Sequence, residues 1–386
     1  MHLALTDDQQ FFQETTRKFL EQEAPIATVR ALADDPAGFD RAWWARGAEL
    51  GWTSFLVPEA DGGGSLSGAG VLDLAIVAEE MGRLVSPGPL VPTNVVAMAV
   101  ADGGSAELRA RVLPELVAGS VVAAWCTGSV GGAALGAHVS VRAEPDGDGF
   151  VLGGVAAPVE AGGQADELLV TADTGGGLSQ FLVPRATAGV SVEAMESVDL
   201  VRRFATVRFD AVGVTRGQLV GALGSAAAAV ERQLQVAIVL QCAETVGALD
   251  RVLEMTLEYL GDRTSFGRPL ASYQAIKHRF ADMKMWLEAS HGVAELAARA
   301  VQDGARDAAA IVSAAASYVG EHATETVQEC TQLHGGIGVT WEHDLHLYLR
   351  RITLDRNLLG TPSQHREHLA SLLLDARDAG RESSDA

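Results

Sequence analysis

Cysteine is scarce in this chain of 386 residues: only Cys126, Cys242 and Cys330 occur, far apart and with no Cys-x-x-Cys pair. Such spacing speaks against a disulfide framework and gives no zinc-site pattern, and it fits a reducing cytoplasm. Positive charge is also short, with 29 Lys and Arg against 50 Asp and Glu and a formal net charge of -21. That balance repels phosphate backbones and anionic lipid surfaces, so nucleic acid is not an expected partner. Long apolar runs are missing as well. The longest uncharged stretch, 116–141, is interrupted by Gly119, Gly128, Gly131, Gly132 and Gly136, and it reads as strand and turn, not as a membrane span. Met1 to Asp8 lacks the basic and apolar regions of a signal peptide. His334, His343 and His346 stand near one another without a ligand set at metal-site spacing, so no metal is expected there, and Glu342 and Asp344 beside them read as a solvated face.

What is present is apolar residue in plenty, 48% of the chain, enough to bury a large core. Thr6 is a plausible N-cap followed by Asp7 and Asp8, and Phe11, Phe12, Phe19 and Leu20 recur at helical spacing behind it. Helical patterns continue over 39–50, 71–81 and 107–117, with a turn-rich Pro58 to Gly64 between the earlier ones. The character then changes to short β-branched or alternating runs, 139–141, 150–152, 168–171, 180–183, 189–192 and 206–209, separated by Gly, Asp and Pro. Long helical segments return over 231–260, 273–301, 305–334 and 361–377. The reading is an α+β chain of three parts: an N-terminal helical domain (1–118), a small middle β-domain (119–224) and a C-terminal four-helix bundle (225–386).

Two local patterns carry chemistry. In Asp262-Arg263-Thr264-Ser265-Phe266-Gly267-Arg268-Pro269-Leu270, Gly267 and Pro269 end one helix before the next begins near Tyr273-Gln274. An exposed Arg263 and Phe266 suit a diphosphate and an adenine; the alternative is an ordinary interhelical turn whose Phe plugs the core. In Gln332-Leu333-His334-Gly335-Gly336-Ile337-Gly338, consecutive glycines permit close backbone approach to an anionic group, although a Gly pair after a helix is more often a simple C-cap.

In this order and at this separation the two segments resemble the acyl-CoA dehydrogenase family. Leu50-Gly51-Trp52, Val57-Pro58-Glu59, Gly62-Gly63 and Glu79-Glu80-Met81-Gly82-Arg83 look like its first domain, and Asp199, Arg202 and Val207-Arg208-Phe209-Asp210 look like its passage from sheet to bundle. The resemblance implies an acyl-CoA substrate and an FAD at a subunit interface. Arg263, Ser265 and Phe266 of one chain would hold it, with Gln332, Gly335 and Gly336 from a neighbour, Gln274 as a further contact, and Thr361 matching the threonine after the active-site loop. It also implies a homo- or hetero-oligomer built as a dimer of dimers, and an electron-transfer flavoprotein as acceptor.

The resemblance places a catalytic glutamate just before a Gly-Thr pair, to take the α-proton while the β-hydrogen leaves as hydride. Leu359 stands there, in Leu358-Leu359-Gly360-Thr361. The alternative position used by some relatives aligns with Ala237. Glu244, two helical turns on, shares roughly the same face in a very apolar run, with Gly247 and Ala248 leaving room for an acyl chain beside it. It is the expected base; the competing role is a structural glutamate paired with a residue such as Arg251. The middle domain departs too: Trp125-Cys126-Thr127-Gly128-Ser129 and Pro158-Val159-Glu160 replace the family's usual flavin-facing segments, leaving Thr127 and Ser129 as donors to the ring. Three readings follow: an acyl-CoA dehydrogenase, a non-catalytic partner that completes a neighbour's flavin site, or an oxidase or monooxygenase on the same fold.

Overall fold

The computed structural model describes residues 5–127 and 139–382. Helix α1 (Asp7–Glu23) starts as its sequence predicts: the Thr6 hydroxyl accepts from the Gln9 amide while the Gln9 side chain accepts from the Thr6 amide. Helices α2 (Ile26–Ala31), α3 (Arg41–Glu49), α4 (Gly70–Arg83), α5 (Leu90–Gly103) and α6 (Ala106–Val117) follow. Trp43, Trp44 and Trp52 are buried together, with the rings of Trp43 and Trp52 5.7 Å apart. The sequence pattern missed α5 because Leu90 to Ala101 is buried on every side, so no amphipathic period betrays the helix.

A single sheet forms the middle, from β1 (Ala123–Cys126), β2 (Arg142–Asp146), β3 (Gly149–Glu160), β4 (Glu167–Asp173), β5 (Leu178–Pro184), β6 (Val190–Met195), β7 (Phe204–Val214) and β8 (Leu219–Val220). Its order is β6-β7-β3-β2-β4-β5-β8, with β1 lying parallel to β4. The strand expected at 139–141 begins instead at Arg142, where antiparallel pairing with β3 sets in. Ser129 lies outside the described residues.

The C-terminal part is α7 (Ala227–Asp262), a two-stranded hairpin β9 (Thr264–Ser265) and β10 (Arg268–Pro269), then α8 (Gln274–Gln302), α9 (Ala308–His334), α10 (Leu345–Leu358) and α11 (Pro362–Glu382). Helix α11 starts at Pro362 for a local reason: Thr361 and Gln364 form reciprocal capping bonds and proline suits the first helical position. Burial pushes the thiols of Cys242 and Cys330 up to about 12, far from a reactive thiolate. Among the described residues no helix is long and apolar enough to cross a membrane.

Helices α4 and α7 touch backbone to backbone. A Cβ on Gly247 would lie 1.9 Å from the Glu79 carbonyl oxygen, and one on Gly82 would lie 1.9 Å from that of Glu244. Gly247→Ala should therefore destabilise the chain by about 1–3 kcal/mol in urea unfolding. Gly292→Ala, on an open helix face with nothing within 4 Å, should be neutral or stabilising by up to about 1 kcal/mol.

Candidate active site

Sheet and bundle meet around a cavity walled by Trp125, Thr127, Glu160, Arg202, Ala237 and Leu359, with further apolar side chains between them. Strand β1 aims Trp125 and Thr127 at it, β3 ends there on Glu160, and α7 contributes Ala237. The loop after α10 supplies Leu359, whose carbonyl oxygen lies 3.2 Å from His365 Nε2. Burial drives the His365 imidazole down to about 4, so at neutral pH it is an uncharged donor to that carbonyl. Both positions at which the resemblance expects a base thus face the cavity, and both are aliphatic. Glu160 is the one carboxylate among the described lining residues.

Glu244 stands one layer back, beside a smaller hollow that shares Val91, Glu160 and Arg202 with the cavity. One of its oxygens accepts from Arg351 and the other from Arg202 Nη1 at 3.3 Å. Arg251, the partner suggested by sequence proximity, pairs with Glu254 instead. The room expected beside Gly247 does not exist, because the α4 backbone fills it.

These contacts belong to a buried network. Arg202 Nε and Nη2 each donate to Glu160 at 2.8 Å and its Nη1 donates to Asp355 at 2.7 Å. Arg351 Nε donates to Asp199 at 2.6 Å, and Gln241 donates to the Asp355 carbonyl oxygen at 2.6 Å. Two guanidiniums thus meet four carboxylates away from water. Burial works against the ionised form of Asp199, but the charge and hydrogen bond of Arg351, with the Val201 and Arg202 amides, hold it below the usual carboxylate range. Asp355 goes the other way: burial, then the negative charge of Glu244, pushes it well above that range. Sequence reasoning missed Arg351 and Asp355; their i,i+4 spacing, an arginine and an aspartate on one helical face, was the available signal.

A second group lies at the exposed end of the bundle. Phe266 and Gly267 form the turn of the β9–β10 hairpin at φ of +49° and +79°. Phe266 is 97% exposed, so the alternative in which it plugs the core is overturned. Tyr273 donates its hydroxyl to the Ser265 carbonyl at 2.8 Å, and the Arg268 guanidinium lies 3.8 Å from the Tyr273 ring centre. Arg263 and Gln274 are exposed beside the hairpin. The glycine segment reaches the same end of the same chain: Tyr259, one turn before Arg263, stacks on His334 at 4.5 Å and donates to its carbonyl at 3.2 Å. Gln332, Gly335 and Gly336 are not buried, and added Cβ atoms on either glycine would meet nothing within 4 Å. Gly335, at φ +65°, turns the chain out of α9. Thr361, by contrast, is engaged in capping α11. Glu342 is exposed, and Asp344, partly exposed beside it, pairs with Arg30 at 2.8 Å.

Guanidinium, exposed aromatic ring and unhindered glycine amides fit the diphosphate and adenine of a dinucleotide, and Thr127 faces the cavity as a hydroxyl donor. Helical domain, sheet and helical bundle with such an exposed end suit the class of flavin-dependent oxidoreductases. Comparison narrows the class. The family profile described as "Acyl-CoA dehydrogenase, N-terminal domain" matches residues 6–120 and "Acyl-CoA dehydrogenase, C-terminal domain" matches 214–374. The chain is 31% identical over 367 residues to acyl-CoA dehydrogenase IpdE2 of Mycobacterium tuberculosis, covering 95% of this chain and 97% of that one. A solved structure of a variant of the Tcur3481-Tcur3483 steroid ACAD superposes with a TM-score of 0.87 at 31% identity, covering 96% of this chain and 99% of the other. A glutaryl-CoA dehydrogenase from Mycobacterium smegmatis, in complex with FADH2, shares the fold with a TM-score of 0.86 at 21% identity, over 96% and 95% of the two chains. The chain belongs to the acyl-CoA dehydrogenase family, oxidoreductases whose cofactor is FAD.

The network makes a pH-dependent prediction. Asp199→Asn should cost about 3–5 kcal/mol at pH 7, because an ionised partner of buried Arg351 is lost. Since the folded Asp199 carboxyl titrates below its unfolded value, that cost should shrink as pH falls through the folded value. Asp355→Asn imitates the neutral carboxyl that burial favours and should cost less than Asp199→Asn. Because the raised Asp355 favours the fold only while protonated, the wild type should lose stability relative to Asp355→Asn as pH rises. Denaturant midpoints measured across pH check both signs.

Proposed function

We propose that this chain works as one subunit of a heteromeric acyl-CoA dehydrogenase that converts an acyl-CoA thioester to the trans-2-enoyl-CoA, lending its bundle end to the flavin site of an unlike partner that supplies the base. The observation that carries this reading is the pairing of an aliphatic Ala237 and Leu359 at the cavity with a Glu244 held by Arg202 and Arg351 behind it. A carboxylate engaged on both oxygens by guanidiniums and set behind the cavity wall is not placed to meet a substrate carbon there. The similar steroid enzyme carries a double name, Tcur3481-Tcur3483, which supports both an unlike partner and a bulky, ring-bearing acyl group. An electron-transfer flavoprotein is the proposed acceptor, as the family resemblance implies.

In this scheme the bound flavin supplies the hydride acceptor for the β carbon. Arg263 would bind the diphosphate, with Ser265 and Gln274 beside it. Phe266 would cover the adenine, while Gln332 and the Gly335 and Gly336 amides close the other side. Thr127 would direct a hydroxyl to the cavity, and Arg202 would keep Glu160 oriented in its wall. A second reading keeps Glu244 as the base, favoured by the Val91, Glu160 and Arg202 wall that its hollow shares with the cavity.

Expression alone and with an acyl-CoA dehydrogenase chain that retains the glutamate before its Gly-Thr pair separates the two. The expected result is a colourless chain alone and a yellow complex that acyl-CoA bleaches at a rate unchanged by Glu244→Gln. In that complex Arg263→Ala should weaken FAD retention by about tenfold, the loss of one charge-assisted hydrogen bond. A chain that is yellow by itself, bleaches with acyl-CoA and loses bleaching but not flavin on Glu244→Gln would reject the partner role and make Glu244 the base.

A further inference from the structure

Away from the cavity, three helices bring together a set of side chains that the flavin chemistry does not use. Glu79 on α4 is 5% exposed, His291 on α8 is 3% exposed, and Asp250 on α7 is partly buried between them. His291 Nε2 lies 3.0 Å from Asp250 Oδ2. One ligand atom from each of the three residues falls within 4.8 Å of the other two. We propose that Glu79, Asp250 and His291 form a binding site for a divalent cation of the zinc class, clamping the N-terminal helical domain to the bundle.

The donor set is one imidazole nitrogen and two carboxylate oxygens, which suits zinc, cobalt or nickel better than magnesium or calcium. Bonds to such an ion run about 2.0–2.2 Å, so donor atoms that now lie within 4.8 Å of one another would draw together to share it. The frame is stiff as well. Gly247 lets the α7 backbone lie directly on the Glu79 carbonyl, three residues before Asp250, so two of the three ligands sit on helices in backbone contact. A site whose supports cannot drift is what selective coordination requires. An ion here would bind the folded chain and not the unfolded one, and so stabilise it by mass action.

The test uses the untagged full chain, stripped with chelator and titrated with Co²⁺ at neutral pH. Expected are visible d–d bands saturating at about one equivalent, their loss on adding Zn²⁺, and a Tm rise of about 5 °C at saturating Zn²⁺. His291→Ala and the isosteric Asp250→Asn should both abolish the bands, and circular dichroism reports whether each is folded; if His291→Ala is not, Asp250→Asn decides. Absence of saturable Co²⁺ binding by the wild type, with a Tm indifferent to metal, would reduce the cluster to side-chain pairing and overturn the proposal. Undiminished binding by folded Asp250→Asn would overturn it equally. The outcome is independent of flavin content and of the partner reading above.

Discussion

Everything around the cavity hangs on the pairing of two buried guanidiniums, Arg202 and Arg351, with Asp199, Glu160, Glu244 and Asp355. Arginine keeps its charge in any protein environment, so each must be surrounded by acceptors once water is removed. The segment between β6 and β7 supplies Arg202 and Asp199, β3 supplies Glu160, α7 supplies Glu244, and α10 supplies Arg351 and Asp355. The sheet domain is thereby fastened to the bundle at the wall of the cavity. With four carboxylates for two cations negative charge is in excess, and Asp355, pushed well above its ordinary range, is the member driven towards its neutral form.

The interior and the bundle end differ in kind. Inside, charges meet partners and a hypothetical side chain on Gly82 or Gly247 would collide with backbone. At the bundle end Phe266 is almost wholly exposed in a left-handed conformation, and Ile337, Val339 and Trp341 add 44%, 70% and 52% exposed apolar side chains after the glycine pair. A large aromatic displayed at a strained φ is costly for a lone chain. It accords with the proposal that this surface is completed by dinucleotide and a neighbouring subunit.

Much of the fold was legible residue by residue. The N-cap at Thr6, the short strands between Gly and Pro, and the long amphipathic helices of the bundle all depend on local periodicity and capping, which act over a few residues. Helix α5 escaped because burial on every side erases the period that sequence reading relies on, and α10 because its buried face carries Arg351 and Asp355 among the apolar residues. At the site, the hairpin and the glycine segment could be singled out by residue type alone, but their meeting at one end of one chain rests on the Tyr259–His334 contact, 75 residues apart.

Glu244 shows where sequence stops. Its isolation in an apolar run correctly indicated a buried carboxylate, and nothing local could indicate which cations would reach it. Arg202 and Arg351 are 42 and 107 residues away, and the apparent space at Gly247 is taken by a helix far earlier in the chain. By itself, then, the sequence determined helices, strands, family and the chemical types available to a site, because these are set by short-range pattern. Only the tertiary structure decided which charges neutralise each other, which glycines are filled and which are open, since desolvation and packing act between residues that are neighbours in space alone.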